Sequence, residues 1–262
     1  MISKHQIEQF GRELFTSMQN RTPIKPLSDR VSGLSVDDAY QISRHYLDLR
    51  IASSREVVVG KKIGVTSAAV QSMLGVYEPD FGFLTDAMQY PEGDVSIGHL
   101  IQPRAEAEIA FLLKRDLVGP GITAQDVLAA TESVMACFEI VDSRIEDWKI
   151  KIQDTVADNA SCGVFVVSQN RVSPHDIDLA ASKVTVTKNG DFLSEGLGEA
   201  VQGSPLNAVA WLANTLGSLG VSMRAGEIIL SGSLVPLEPI VIGDQMTMDI
   251  PGIGSLTANF VE

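Results

Sequence analysis

Arg104-Ala105-Glu106-Ala107-Glu108-Ile109-Ala110-Phe111 leads into a strand that reads over Glu106–Lys114. On a strand, residues two apart point to the same face, so Glu106 and Glu108 project together. Two carboxylates that close repel unless a proton or a cation lies between them. Taken alone, the stretch also fits two solvated glutamates on an exposed face. A third acid tips the balance. Cys137-Phe138-Glu139-Ile140-Val141-Asp142 sets Glu139 inside an apolar, β-branched run, where a carboxylate is costly unless paired or bound to metal. Three carboxylates converging from two strands suit a hard cation with oxygen ligands, such as Mg²⁺ or Mn²⁺. His5, His45, His99 and His175 all lie away from this cluster in sequence, and Cys137 and Cys162 have no metal-ligand spacing, so a zinc site is not indicated.

Other polar residues stand in unusual places. Gly60-Lys61-Lys62-Ile63-Gly64 lies in a strand over 57–65, and adjacent lysines face opposite sides of a strand. The inward one could hold a carboxylate or an enolate oxygen; the bland alternative is two exposed lysines. Asp80, in Glu78-Pro79-Asp80-Phe81-Gly82, reads as a turn residue. The run 154–163, with Ser161 near its end, is loop material that could also line a pocket. Ser231-Gly232-Ser233 ends an apolar strand, and its amides and hydroxyls could hold a carboxylate; a bulge or turn is the alternative.

Around these points the sequence predicts helices at its start and a β-rich remainder. Ile7, Phe10, Leu14 and Met18 recur at helical spacing, and a second helix opens at Ser35 with Asp38 as a capping box. Residues 21–32, with Pro23 and Pro26, read as the loop between them. Ser67 to Leu74 is a short helix closed by Gly75. Thr123 with Asp126 opens a helix to about Val134, and 138–141 is a strand. A hairpin over 184–193 turns at Asn189-Gly190. Ser204-Pro205 starts a helix through Trp211 and Leu216. Residues 227–230 and 245–261 are strands. The strands do not alternate regularly with helices, which excludes a doubly wound sheet, and no glycine-rich phosphate loop joins a strand to a helix.

The chain has 262 residues, 45% hydrophobic and 20% charged, within the range of soluble globular proteins. Its net charge of −13 argues against nucleic acid and against an anionic membrane surface. A small anionic substrate stays compatible, because a bound cation reverses the field inside a pocket. The first residues lack the apolar core of a signal peptide and no run approaches a membrane span, so a cytoplasmic protein is expected.

The Arg-Ala-Glu-Ala-Glu pair followed by Phe138-Glu139-Ile140-Val141-Asp142-Ser143-Arg144 resembles the fumarylacetoacetate hydrolase superfamily. Residues 60–67, 79–82, 147–161 and 230–234 narrow the resemblance to its 2-hydroxypenta-2,4-dienoate (2-oxopent-4-enoate) hydratases, across about residues 7–261. The resemblance implies an α+β, β-rich mixed fold with a partly rolled sheet. It places a helical N-terminal region over 1–55 and the catalytic domain over 56–262. It implies Glu106, Glu108 and Glu139 as ligands of Mg²⁺ or Mn²⁺. Lys62, Asp80 and Ser161 match the polar active-site positions, and the 231–233 turn would bind substrate. It further implies a lyase acting on a small 2-hydroxydienoate or 2-oxo acid in aromatic catabolism, a homo-oligomer, and association with 4-oxalocrotonate decarboxylase. Two rivals follow: that decarboxylase itself, from the same superfamily, or a non-catalytic metal-binding partner subunit.

Overall fold

The computed structural model describes residues 1–262. Three helices come first: α1 (Lys4–Asn20), α2 (Leu27–Arg30) and α3 (Val36–Ser54). Capping boxes set the two long ones, Ser3 with Gln6 and Ser35 with Asp38, each satisfying amides that the first turn leaves unpaired. The 21–32 stretch, expected to be loop throughout, contains α2. There Ser28 donates to Asp154 from its amide (2.9 Å) and its hydroxyl (2.6 Å). Phe10, Leu14, Ile42 and Tyr46 bury themselves in a core shared with Val65, Ile145 and Val156. The N-terminal helices therefore pack onto segments that flank the acidic cluster. None of the helices is long and apolar enough to cross a membrane.

The next elements are β1 (Val58–Gly64), α4 (Ala68–Leu74), β2 (Asp80–Thr85), β3 (Gln89–Tyr90), β4 (Gly93–Ser96), β5 (Pro103–Leu113), α5 (Ala124–Ala130) and β6 (Thr131–Asp142). Then come α6 (Ile152–Ala157), β7 (Cys162–Val167), β8 (Lys183–Lys188), β9 (Asp191–Leu197), α7 (Pro205–Ser218), β10 (Ile228–Leu230), β11 (Glu238–Pro239), β12 (Gln245–Ile250) and β13 (Gly254–Val261). The fold is α+β, with a larger, partly rolled sheet of order β2-β1-β10-β5-β6-β7-β3, in which β11 pairs with β5. The second sheet has the order β4-β13-β12-β8-β9.

Three expectations are corrected. The helix opened by Thr123 stops at Ala130, and residues 131–134 belong to β6, because β6 pairs with β5 almost from end to end. Asp80 opens β2 instead of sitting in a turn, since β2 pairs antiparallel with β1 from Asp80 onward. The 154–163 run is not plain loop: it holds most of α6 and a left-handed turn over 159–161.

β5 divides the interior. Ala105, Ala107, Ile109 and Phe111 join the main core, which also takes Val186, Met248 and Phe260 of the second sheet and Leu212 and Leu216 of α7. The intervening residues, from Arg104 through Glu106 and Glu108 to Ala110, face the other side, as strand alternation requires.

Candidate metal and active site

Glu106 stands opposite Glu139 in the β5–β6 ladder, and Glu108 lies two residues along the same face. One carboxylate oxygen from each of the three lies within 4.8 Å of the others. Their exposures of 5%, 0% and 1% remove the alternative of a solvated pair. Glu108 Oε2 accepts from the Gly232 amide at 2.8 Å. Glu108 Oε1 and Glu139 Oε2 are buried with no hydrogen-bond partner. An orphaned buried carboxylate oxygen is costly, and a cation among these three removes that cost. Burial, reinforced by Glu139, pushes the Glu106 carboxyl up to about 8, with Lys62 pulling the other way. Burial and the same neighbours hold Glu108 well above the usual carboxylate range. Burial also pushes the Cys137 thiol up, helped by Glu108 and Glu139, and the three groups close enough to share an ion are all carboxylates, so they offer oxygen.

Both lysines of β1 are buried, on opposite faces. Lys61 pairs with Glu227 on the core side. Lys62 turns to the carboxylates, with Nζ 3.2 Å from Glu139 Oε1. Burial works against its charge, but Glu139, Asp80 and Glu106 outweigh it and hold the ammonium above its ordinary pKa. Asp80 Oδ2 accepts from the Thr155 hydroxyl at 2.7 Å, whereas Oδ1 has no partner. Burial raises the Asp80 pKa against the pull of Lys62. Gly64 makes this arrangement possible: a Cβ there would collide with Asp80 Oδ1 and press on Lys62 Nζ.

Ser161 is the last of three consecutive residues at positive φ, with Asn159 at 54°, Ala160 at 52° and Ser161 at 53°. A left-handed turn of non-glycine residues costs about 1–2 kcal/mol per residue, so its surroundings must impose it. Arg144 does so. Its amide and Nε donate to the Asp158 carboxylate at 2.9 and 2.5 Å, Nη2 to Asp158 O at 2.6 Å, and Nη1 to Cys162 O at 2.7 Å.

These groups meet in a narrow cleft of about 20 Å³. Lys62, Asp80, Glu106, Thr155 and Ser161 form its polar wall, and Val70, Leu74 and Trp148 stand on the apolar side. The 231–233 turn lies behind the carboxylates. Ser231 Oγ donates to Ile109 O at 2.8 Å and Ser233 Oγ to Val235 O at 2.7 Å. Gly232, at φ 106°, faces Thr66, where a side chain would clash. Sequence reasoning missed Thr155, Thr66 and the Arg144–Asp158 pair. The only signal for them was a density of polar residues, including an arginine, in segments otherwise suited to a core.

The sequence profile of the fumarylacetoacetate (FAA) hydrolase C-terminal family matches residues 76–261. A 2-hydroxyhexa-2,4-dienoate hydratase of Comamonas testosteroni is 57% identical over the full length of both chains. A 2-hydroxypent-2,4-dienoate hydratase of Pseudomonas putida is 58% identical over 84% of this chain and all of its own. Among solved structures, 4-oxalocrotonate decarboxylase from Pseudomonas putida G7, complexed with magnesium and adipate, superimposes with a TM-score of 0.94 at 34% identity, covering 100% of this chain and 99% of that one.

Proposed function

Because the chain belongs to the fumarylacetoacetate hydrolase family, we propose that it is a divalent-metal-dependent hydro-lyase. It converts 2-hydroxypenta-2,4-dienoate (2-oxopent-4-enoate) and water into 4-hydroxy-2-oxopentanoate in the meta-cleavage degradation of aromatic compounds. The observation that carries this reading is the convergence of three buried carboxylates, with unpartnered oxygens, beside Lys62 and Asp80. Glu106, Glu108 and Glu139 would hold Mg²⁺ or Mn²⁺, which when bound would supply Lewis acidity to the substrate's 2-oxygen.

The chain's own groups do the rest. Lys62, fixed as an ammonium, stabilises negative charge on the 2-oxygen when the enol proton leaves. Protonation at C5 then gives the 2-oxo-3-enoate, water adds at C4, and protonation at C3 completes the product. Asp80 carries these protons: its pKa is raised, one oxygen is free and the other is held by Thr155. The Ser161 hydroxyl orients the water, and the 231–233 turn serves the substrate site through its hold on Glu108. The enzyme is a cytoplasmic homo-oligomer that associates with the pathway's 4-oxalocrotonate decarboxylase.

The test follows the ultraviolet absorbance of freshly made 2-hydroxypenta-2,4-dienoate with Mg²⁺, Mn²⁺ or EDTA and identifies the product by mass. Cation-dependent loss with the gain of one water is expected. Loss without water gain would overturn the reading. The close superposition with the decarboxylase favours a second reading, tested by CO₂ release from 4-oxalocrotonate.

A further inference from the structure

β5 carries one more charged residue on the face of Glu106 and Glu108: Arg104, two positions toward the strand's start. Its Cζ lies 4.8 Å from the centre of the Trp148 ring, and its Nη1 lies 3.9 Å from Met73 Sδ. Trp148 and Leu74, the neighbour of Met73, line the cleft, so the guanidinium sits at its rim. The acids around it are engaged elsewhere. Glu238, on the strand paired beside Arg104, binds Lys188, and Asp147 binds Lys149. With its guanidinium over the Trp148 ring and only the weak thioether of Met73 as acceptor, Arg104 has N–H donors left for a carboxylate.

The platform beneath it is built. Asp147 and Trp148 hold φ values of 57° and 54°, a conformation that is costly for a bulky residue. The Trp148 indole donates to Gln102 O at 3.1 Å, and the Gln102 side chain donates to Ser143 O and Ile145 O at 2.9 and 2.8 Å. The chain as a whole carries a charge of −13, and the cleft behind Arg104 is rich in carboxylates. A guanidinium at the entrance offers an arriving anion a positive contact ahead of Lys62 and the cation site.

We infer that Arg104 is a substrate-binding, specificity-determining residue that takes the carboxylate of the incoming 2-oxo acid at the cleft mouth. Trp148 and Gln102 are positioning residues that hold it there. This rests on the hydratase reading for the identity of the substrate, not for the chemistry of recognition. The probes are 2-oxopentanoate, which has no alkene to hydrate, and 2-oxopentanamide, which has no carboxylate. Calorimetry on the cation-loaded protein measures both.

Arg104→Met should weaken 2-oxopentanoate about 10- to 100-fold, the range expected for losing a charge-assisted pair. It should leave the amide within twofold, and Arg104→Lys should recover part of the loss. With the dienoate, KM should rise while kcat stays within threefold, the pattern of binding lost equally from ground and transition states. Trp148→Leu should lower the acid-to-amide ratio without removing a charge. Should Arg104→Met fail to fold, Arg104→Gln reads the same ratio. Equal weakening of acid and amide, or no weakening of the acid, would overturn the inference. Discrimination by Arg104 in a protein that does not hydrate the dienoate would sink the hydratase reading and leave the inference standing.

Discussion

Stripping divalent cations from the protein and restoring them should move its melting temperature, by an amount that grows with pH. A ligand at 100 times its Kd stabilises the fold by about 2.7 kcal/mol. Unfolding entropy of about 2.1 cal/mol/K per residue, over 262 residues, is about 0.55 kcal/mol/K, so the expected rise is about 5 °C. The pH dependence follows from Glu106, whose carboxyl is pushed up to about 8 from an ordinary 4.5. The cation-free fold favours the protonated carboxyl. That contribution is fully present below about 4.5 and is lost as pH rises through about 8. Below 8 a cation must also displace that proton, so affinity should fall about tenfold per pH unit for each proton released. The cation-free protein should therefore soften between pH 6 and 8.5 while the cation-induced rise widens. Scanning fluorimetry with EDTA, Mg²⁺ or Mn²⁺ across that range measures both trends. An unchanged melting temperature at every pH, or a full shift surviving in Glu106→Gln/Glu108→Gln, would refute the reasoning.

Asp80→Asn should lower kcat by about 10²–10⁴ with little change in melting temperature; a loss below threefold would remove it from proton transfer. Asp158→Asn should destabilise the protein by about 3–5 kcal/mol in urea unfolding, since it leaves the Arg144 guanidinium buried without its counter-charge. Gly232→Ala should cost about 1–3 kcal/mol and weaken cation binding, because it strains a left-handed position, meets Thr66 and disturbs the amide that holds Glu108. Calorimetric cation titration of that variant checks the second half.

Local chemistry was readable and long-range constraint was not. The capping pairs Ser35–Asp38 and Thr123–Asp126 announced two helix starts, because a cap is decided within four residues. Glu106 and Glu108 announced the acidic face, because strand alternation is local too. What stops α5 at Ala130 is the pairing of β6 with β5, a partner outside any short window. Asp80 looked like a turn residue because Pro79 and Gly82 flank it; its strand exists through β1, and Gly82 leaves room on that strand for the approach of the 159–161 turn. That turn was least legible of all. Asn159 alone has some intrinsic tolerance for it; Ala160 and Ser161 have none, and the turn is held from afar, by Arg144 just past the end of β6 and by the Asn159 side chain pairing with the Phe83 backbone of β2.

The two faces of β5 carry a consequence for quality control during folding. Sliding β5 against β6 by one residue would exchange the faces, sending Glu106 and Glu108 toward the apolar interior and Ala107 and Ile109 toward the cleft. On the proposed ligand set, cation capture would report register: only a chain with β5 and β6 correctly aligned brings Glu106, Glu108 and Glu139 together.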